Sequence, residues 1–237
     1  VLVGSAAHVL TEMLTVSKNR IHFIGIDGTS GRMYGQNAKI QIGVTTATTD
    51  VAAVKVTGIR NSFTNIKFIS NNTLTQAAYT VLEAGEYTAY TCCEFYKSTH
   101  LDVTGAAEFV ANGDSTQCVN CTFGSLADQT VGAVIRPTVL CTGGISTGAK
   151  LRDNSFIGCQ FWRKAGNAAA RMIYGANATD VERLLLFKGC SFISNALGSA
   201  TPGAAVTFGA AQTQGTVLVQ DCTSVDCTLM VTASVGI

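Results

Sequence analysis

Hydrophobic and polar positions alternate in a short phrase that recurs along the chain. The phrase has an aromatic or apolar residue, any residue, a turn-type residue, a small apolar residue or Cys, a polar residue and then Phe. Six copies start 27, 28, 38, 31 and 32 residues apart: Phe63–Phe68, Tyr90–Phe95, Cys118–Phe123, Phe156–Phe161, Phe187–Phe192 and a degenerate Val219–Ser224. This spacing predicts an internal repeat of roughly 30 residues that carries insertions.

Each position of the phrase has a structural meaning. The residue before the Cys is Asn65, Cys92, Asn120, Gly158, Gly189 and Asp221, and five of these six are types that tolerate a left-handed backbone. The chain is therefore expected to bend there. After the bend, two residues that are two positions apart lie on one face of a strand, and because both are apolar that face is the interior. The predicted inner columns are Ile66, Cys93, Cys121, Cys159, Cys190, Cys222 and Phe68, Phe95, Phe123, Phe161, Phe192.

Other short segments with strand character lie between the copies. They are 51–56, 78–82, 108–111, 131–135, 171–174 and 205–208, and turn-type residues follow each of them. Two or three strands per 30-residue repeat predict an all-β fold: a single-stranded right-handed parallel β-helix (a β-solenoid) of about seven coils. An antiparallel sandwich is the main rival, but it does not require the same bend in every repeat.

The nine cysteines follow the repeat, not the spacing of a disulfide framework. Free Cys is among the most buried residue types, so packing inside the coils is the favoured interpretation. Cys118 and Cys121 have the spacing of a redox or zinc pair, yet no second pair completes a zinc site. No metal and no cofactor are predicted.

The first 28 residues carry a family resemblance. Val1–Val3, His8–Leu14 and Arg20–Gly28, with its Ile24-Gly25-Ile26-Asp27-Gly28 turn, resemble the first coil of pectin-lyase-like β-helices. This succession of strands and turn is common in phage tailspike and tail-fibre proteins. The coil pattern extends over essentially the whole chain. The resemblance implies the fold, but it does not specify a catalytic mechanism.

Charge and composition exclude several partners. Charged residues are 13% of the chain, where about 25% is usual, and the net charge is +1. There is no basic cluster for nucleic acid and no apolar run long enough for membrane insertion. Both ends are as apolar as the middle, so residues 1–237 are interpreted as one β-helix body, an excerpt of a longer chain with flanking segments.

Catalytic groups are hard to find in this sequence. A lyase of this fold would need acidic calcium ligands with a basic residue, and a hydrolase would need closely grouped acids, but the acidic residues fall singly. The weak candidates are Glu83 with Glu86 and Glu94 with Glu108. Such pairs are more often solvated surface charges.

One outward position of the repeat is more informative. The residue after each Phe is Ile69, Tyr96, Gly124, Trp162, Ile193 and, in the degenerate copy, Val225. Strand alternation points these residues outward, and a repeated apolar exterior needs a cover. A folded-over loop, a subunit interface, or an aromatic platform for sugars at Tyr96 and Trp162 would each provide one.

Two functional hypotheses follow. The first is a bacteriophage virion structural protein, the β-helical body of a tail spike, tail fibre or head decoration. It would be made in the host cytoplasm, form a homotrimer, and contact other virion proteins or a host-surface glycan. The second is an enzyme of the same fold, a polysaccharide lyase or glycosidase acting as a depolymerase.

Overall fold

The computed structural model describes residues 1–4, 6–26, 38–42, 51–70, 78–97, 106–130, 136–142, 151–165, 171–195, 204–227 and 229–231. Within these ranges the backbone forms short strands and no helix. The strands are β1 (Leu2–Val3), β2 (Ala7–Leu10), β3 (Leu14–Val16), β4 (His22–Gly25), β5 (Lys39–Ile42), β6 (Ala52–Val56), β7 (Ser62–Thr64), β8 (Lys67–Ser70), β9 (Tyr79–Glu83), β10 (Ala89–Thr91), β11 (Glu94–Lys97), β12 (Ala107–Ala111), β13 (Gln117–Val119), β14 (Thr122–Thr130), β15 (Pro137–Cys141), β16 (Asn154–Ile157), β17 (Gln160–Ala165), β18 (Arg171–Gly175), β19 (Leu184–Lys188), β20 (Ser191–Asn195), β21 (Ala204–Phe208), β22 (Thr216–Gln220), β23 (Thr223–Val225) and β24 (Leu229–Val231).

Every third strand belongs to the same sheet, and all pairings are parallel. Sheet A runs from β1 through β4 to β22, sheet B from β2 through β5 to β23, and sheet C from β3 through β6 to β24, with eight strands each. Each coil of the chain therefore contributes one strand to each sheet. The described residues form eight stacked coils, one more than expected, and the predicted parallel β-solenoid is confirmed over the antiparallel sandwich.

The phenylalanines of the repeat form a continuous stack inside sheet B. The strand register pairs Phe68 with Phe95, Phe123, Phe161 and Phe192 in turn, and all five side chains are fully buried. Successive ring centroids are 5.3, 4.7, 5.1 and 5.0 Å apart, and the ring planes are nearly parallel. These spacings match the distance of about 4.8 Å between neighbouring strands, so stacking of the rings follows directly from stacking of the coils.

The cysteine column lies beside the phenylalanines, as predicted. Cys93, Cys121, Cys159 and Cys190 are each 1% exposed, and none forms a disulfide. Each thiol donates to a backbone carbonyl of the preceding coil, for example Cys93 to Phe63 at 3.4 Å. Burial raises the pKa of the Cys121 thiol well above its ordinary value, which keeps it protonated. The thiols are packing groups.

Single left-handed residues make the corners between sheets A and B. The predicted bend column, Asn65, Cys92, Asn120, Gly158, Gly189 and Asp221, has φ between 52° and 61° throughout. A second column with φ between 53° and 59° makes the corner between sheets C and A: Arg20, Arg60, Tyr87, Ser115 and Asp153. The sequence did not indicate this second column, because most of these residue types are not typical of that conformation.

Sheet C forms close to the expected positions. Observed and predicted strands agree within one residue at each end, except in the fifth coil. The segment 131–135 predicted there lies outside the described residues, and the strand of that coil is β15. In each sheet C strand from β6 to β21, at least two consecutive residues are buried, as Thr80 and Val81 are in β9. Strict alternation therefore does not describe this sheet.

No helix in the described part of the chain has the length and apolar character required to cross a bilayer.

Candidate functional site

Glu83 lies inside the solenoid, not in a solvated loop. It ends β9 at the register position of Val56 and Ala111 and is fully buried. Its carboxyl group accepts hydrogen bonds from the Tyr90 hydroxyl at 2.6 Å, the Gly85 amide at 2.8 Å and the Thr88 hydroxyl at 3.1 Å. Burial raises the pKa of Glu83 to about 7, and the three hydrogen bonds oppose this rise. Its expected place among solvated charges is wrong.

Glu86 lies on the other side of the backbone from Glu83. It is exposed at the corner between sheets C and A, where it bridges Ile59 of one coil and Asp114 of the next. Glu83 and Glu86 are three residues apart in sequence, but one faces the interior and the other solvent. The two therefore do not form a carboxylate pair that could act on one substrate.

Glu94 is on the outer face of sheet B. Its side chain lies 2.8 Å from the Lys67 ammonium group and is 8% exposed, so the solvated description is wrong for this residue too. Burial raises the pKa of the Glu94 carboxyl, and the hydrogen bond and charge of Lys67 oppose the rise. Lys67 also lies 5.6 Å from the ring centroid of Tyr96. Of the four candidate acids, only Glu94 is thus grouped with one of the predicted aromatic residues.

Glu108 is part of a buried ionic cluster between sheets B and C. Its carboxylate lies 2.9 Å from Arg163 and 3.6 Å from Arg136, and all three side chains are at most 1% exposed. A buried carboxylate held by two guanidinium groups is a structural ionic cluster, because removing any member leaves an uncompensated charge. Glu108 is thus not solvated, its ion-pair partners differ from that of Glu94, and these partners were not foreseen from sequence.

Within the described ranges, no three His, Cys, Asp or Glu side chains are grouped in a way that could hold a metal ion.

The predicted apolar stripe does lie on the exterior of sheet B. The register pairs Ile69 with Tyr96, and Trp162 with Gly124 on one side and Ile193 on the other. At its ends the same outward position extends to Val9 in the first coil, through Gln41, and to Val225 in the last. The sequence phrase missed Val9 because β2 has no copy of the repeat. We call these outward residues the sheet B stripe.

Exposure varies along the sheet B stripe. Ile69 is only 8% exposed, whereas Val9 and Val225 are 60% and 51% exposed. Tyr96, Trp162 and Ile193 are half-buried. The Trp162 indole donates to the side-chain carbonyl of Gln160 at 3.0 Å. The stripe is therefore an apolar surface partly open to solvent over most of the length of the solenoid.

Gly124 interrupts the sheet B stripe. Its φ is 81°, and a Cβ atom at this position would collide with the carbonyl oxygen of Trp162. Only glycine avoids both the left-handed penalty and this collision.

A second apolar exterior lies on sheet C, and it is already covered. Leu82 and Val110 are paired outward neighbours with exposures of 1% and 0%, and they cluster with Ala52, Ala107 and the half-buried Leu140. Sequence reasoning missed this face because its strands carry no recurring phrase. Since Leu82 and Val110 are covered, whereas Val9 and Val225 of the sheet B stripe are exposed, the sheet B stripe is the better candidate surface.

Comparisons with known proteins add little beyond the fold. No family model and no curated protein matches the sequence. Among solved structures, the chain is similar to the crystal structure of the Dettilon tailspike protein, with 13% sequence identity and a TM-score of 0.41. The similarity covers 94% of this chain and 56% of that one, so this chain spans little more than half of that protein's length.

Proposed function

We propose that this chain is a bacteriophage virion structural protein, the β-helical body of a tail spike, tail fibre or head fibre, with the sheet B stripe as its contact surface. The observation that carries this proposal is the stripe itself. From Val9 to Val225 its outward position holds apolar residues, most of them partly exposed, with interruptions at Gln41 and Gly124. Large apolar patches that remain open on one chain are typical of surfaces that another protein covers.

The packing of the interior supports a structural role for the chain. Aromatic rings stack without a break through five coils of sheet B, and a thiol column runs beside them. Of the four acids considered for catalysis, Glu83 and Glu108 are enclosed in the structure and Glu94 is held by Lys67. These contacts explain three of the four acids without a reaction.

The proposed partner is a second and third copy of the chain. A threefold arrangement would place three sheet B stripes side by side around one axis, each covering the next. Tyr and Trp, which are half-buried in the stripe, are residue types enriched at the centre of protein interfaces. Other virion proteins and a host surface would then meet the rod elsewhere along its length.

Oligomeric mass tests this proposal. Light scattering coupled to size exclusion should give the mass of a trimer for the wild-type chain. Ile193→Lys should dissociate it, because the substitution places a charge in the interface, whereas Ser191→Lys, on the same face of the same strand but outside the stripe, should not. A monomeric wild type, or equal effects of the two lysines, would contradict the interface. Peptides of the chain should also appear in virus particles purified from the same source.

A second function is favoured by the surroundings of Glu94. Its carboxyl group has a raised pKa and lies on the outer face near Tyr96, as the acid of a glycan-cleaving site would. A depolymerase would lose reducing-end release on capsular or cell-wall polysaccharide with Glu94→Gln, and Glu86→Gln would serve as the control. Absence of cleavage by the wild type on a panel of such polysaccharides removes this alternative.

A further inference from the structure

The exposed corner between sheets C and A holds three large side chains in equivalent places. Arg20, Arg60 and Tyr87 each donate their backbone amide to a carbonyl of the next coil, at 2.9, 2.8 and 2.8 Å. The corner is fixed further by the Asn19 side chain, which accepts from the Ile59 amide at 2.8 Å. The three side chains therefore project from a rigid backbone, one coil apart.

The residue types at this corner are unusual for their conformation. Arg20, Arg60 and Tyr87 have φ of 58°, 59° and 55°, where a Cβ atom carries a steric penalty that Gly lacks and Asn or Asp reduces. The other corner column uses Asn, Gly or Asp in five of six places. A penalty retained at neighbouring positions points to a role for the side chains themselves.

Among the described residues, the positive charges at the start of this corner have no acidic partner. Arg20, Arg60 and Lys18 are exposed, and no ion pair joins any of them to an acid in the described chain. Further along the same corner the pattern differs, since Arg152 pairs with Glu182 at 3.0 Å and Arg183 pairs with Asp153. The first coils thus present a local excess of positive charge on a nearly neutral protein.

Tyr87 gives this cationic group a defined shape. The Arg60 guanidinium carbon lies 5.8 Å from the centroid of the Tyr87 ring, which is 53% exposed. Such a contact orders an arginine while leaving its N–H groups available. Glu86, the adjacent acid, lies in the bridge column of Ile59 and Asp114, and within the described residues it forms no ion pair with Arg60.

We propose that Arg20, Arg60 and Tyr87 form a binding site for an oxyanion, a carboxylate or phosphate group of an extended polymer. Guanidinium groups bind both kinds of oxyanion through paired N–H donors. Two arginines one coil apart would hold successive anionic groups of a chain laid along the corner. This site is separate from the sheet B stripe and does not depend on its function.

Binding of defined polyanions tests the site. Calorimetric titration of the full chain would use oligogalacturonate as the carboxylate probe and inorganic polyphosphate as the phosphate probe. The double substitution Arg20→Asn with Arg60→Asn should weaken binding by about tenfold or more. Because Asn tolerates the left-handed backbone, the melting temperature of this variant should be unchanged or higher. Lys55→Asn with Lys188→Asn removes the same charge elsewhere and should change binding by less than about twofold.

Each possible result either supports or refutes the oxyanion site. Selective loss of binding in the arginine variant supports the site, and the probe that binds identifies the carboxylate or the phosphate as its group. Failure of the wild type to bind either probe overturns the proposal. Equal weakening in both double variants would show general charge attraction alone, and a large fall in melting temperature of the arginine variant would show a structural role; either result refutes the site.

Discussion

Glu83→Gln should change how the stability of the solenoid depends on pH. The Glu83 carboxyl group is fully buried, and its pKa is raised from an ordinary value of 4.5 to about 7. Each pKa unit corresponds to about 1.4 kcal/mol, so folding favours the neutral carboxyl over the ionised one by about 3 kcal/mol. Gln is neutral at every pH and offers a similar shape with an acceptor for the Gly85 amide.

The direction follows from proton binding. Between pH 4.5 and about 7 the folded chain holds a proton on Glu83 that the unfolded chain releases. The contribution of this group to stability is therefore fully present below pH 4.5, is lost as the pH rises to about 7, and stays constant above. Relative to wild type, Glu83→Gln should be nearly equal at pH 4.5 and more stable by up to about 3 kcal/mol at pH 8.

Urea unfolding followed by circular dichroism, at steps from pH 4.5 to 8, would measure the difference. The raised pKa of Glu94 acts in the same direction but is common to both proteins, so it cancels in the comparison. Glu86→Gln, an exposed acid three residues away, is the control and should track the wild type. Parallel stability curves for wild type and Glu83→Gln would refute the assignment of a buried, protonated carboxyl.

Three further predictions test the packing. Phe161→Asp buries an unpaired charge and should lower the free energy of unfolding by several kcal/mol. Gln160→Asp lies on the outward face and should change this free energy by less than about 0.5 kcal/mol. Equal shifts of the two variants in thermal melts would contradict the inward and outward assignment. Gly189→Ala should lower the free energy of unfolding by about 1 kcal/mol. Gly124→Ala should lower it further, because of these two positions only Gly124 has backbone atoms where the added Cβ would lie. Urea titrations that give the reverse order would contradict this. Glu108→Ala should lower the free energy of unfolding by about 3 to 5 kcal/mol, because it leaves buried arginines uncompensated. A loss below about 1 kcal/mol in urea unfolding would contradict the ionic cluster.

Local chemistry explains what could be predicted from the sequence. The bend before each Cys is a property of one residue and its neighbours, because Asn65 or Gly158 accepts a left-handed backbone wherever it lies. The inward direction of Cys93 and Phe95 depends only on the alternation of side chains along a strand. The same alternation placed Tyr96 on the outer face, as observed.

The candidate carboxylates could not be placed this way. Their environment depends on how each coil packs, and the sequence does not show which residues of the sheet C strands face inward. Glu83 and Glu108 belong to sheet C strands in which two neighbouring residues are both buried, so counting along the chain cannot tell which side chain faces solvent. The partners of Glu108, Arg136 and Arg163, come from the two following coils.

The sequence by itself determined the repeat, the parallel solenoid, the buried cysteine and phenylalanine columns and the outward stripe, because all of these follow from local periodicity and turn chemistry. The tertiary structure alone decided which surfaces are covered and which charges are neutralised. Leu82 and Ile193 are both apolar outward residues, but only Leu82 is fully covered. Arg20 is exposed and Arg152 is half-buried, and among the described residues only Arg152 of the two forms an ion pair with an acid. The reason is that these differences arise from contacts between coils about 30 residues apart, which no local pattern encodes.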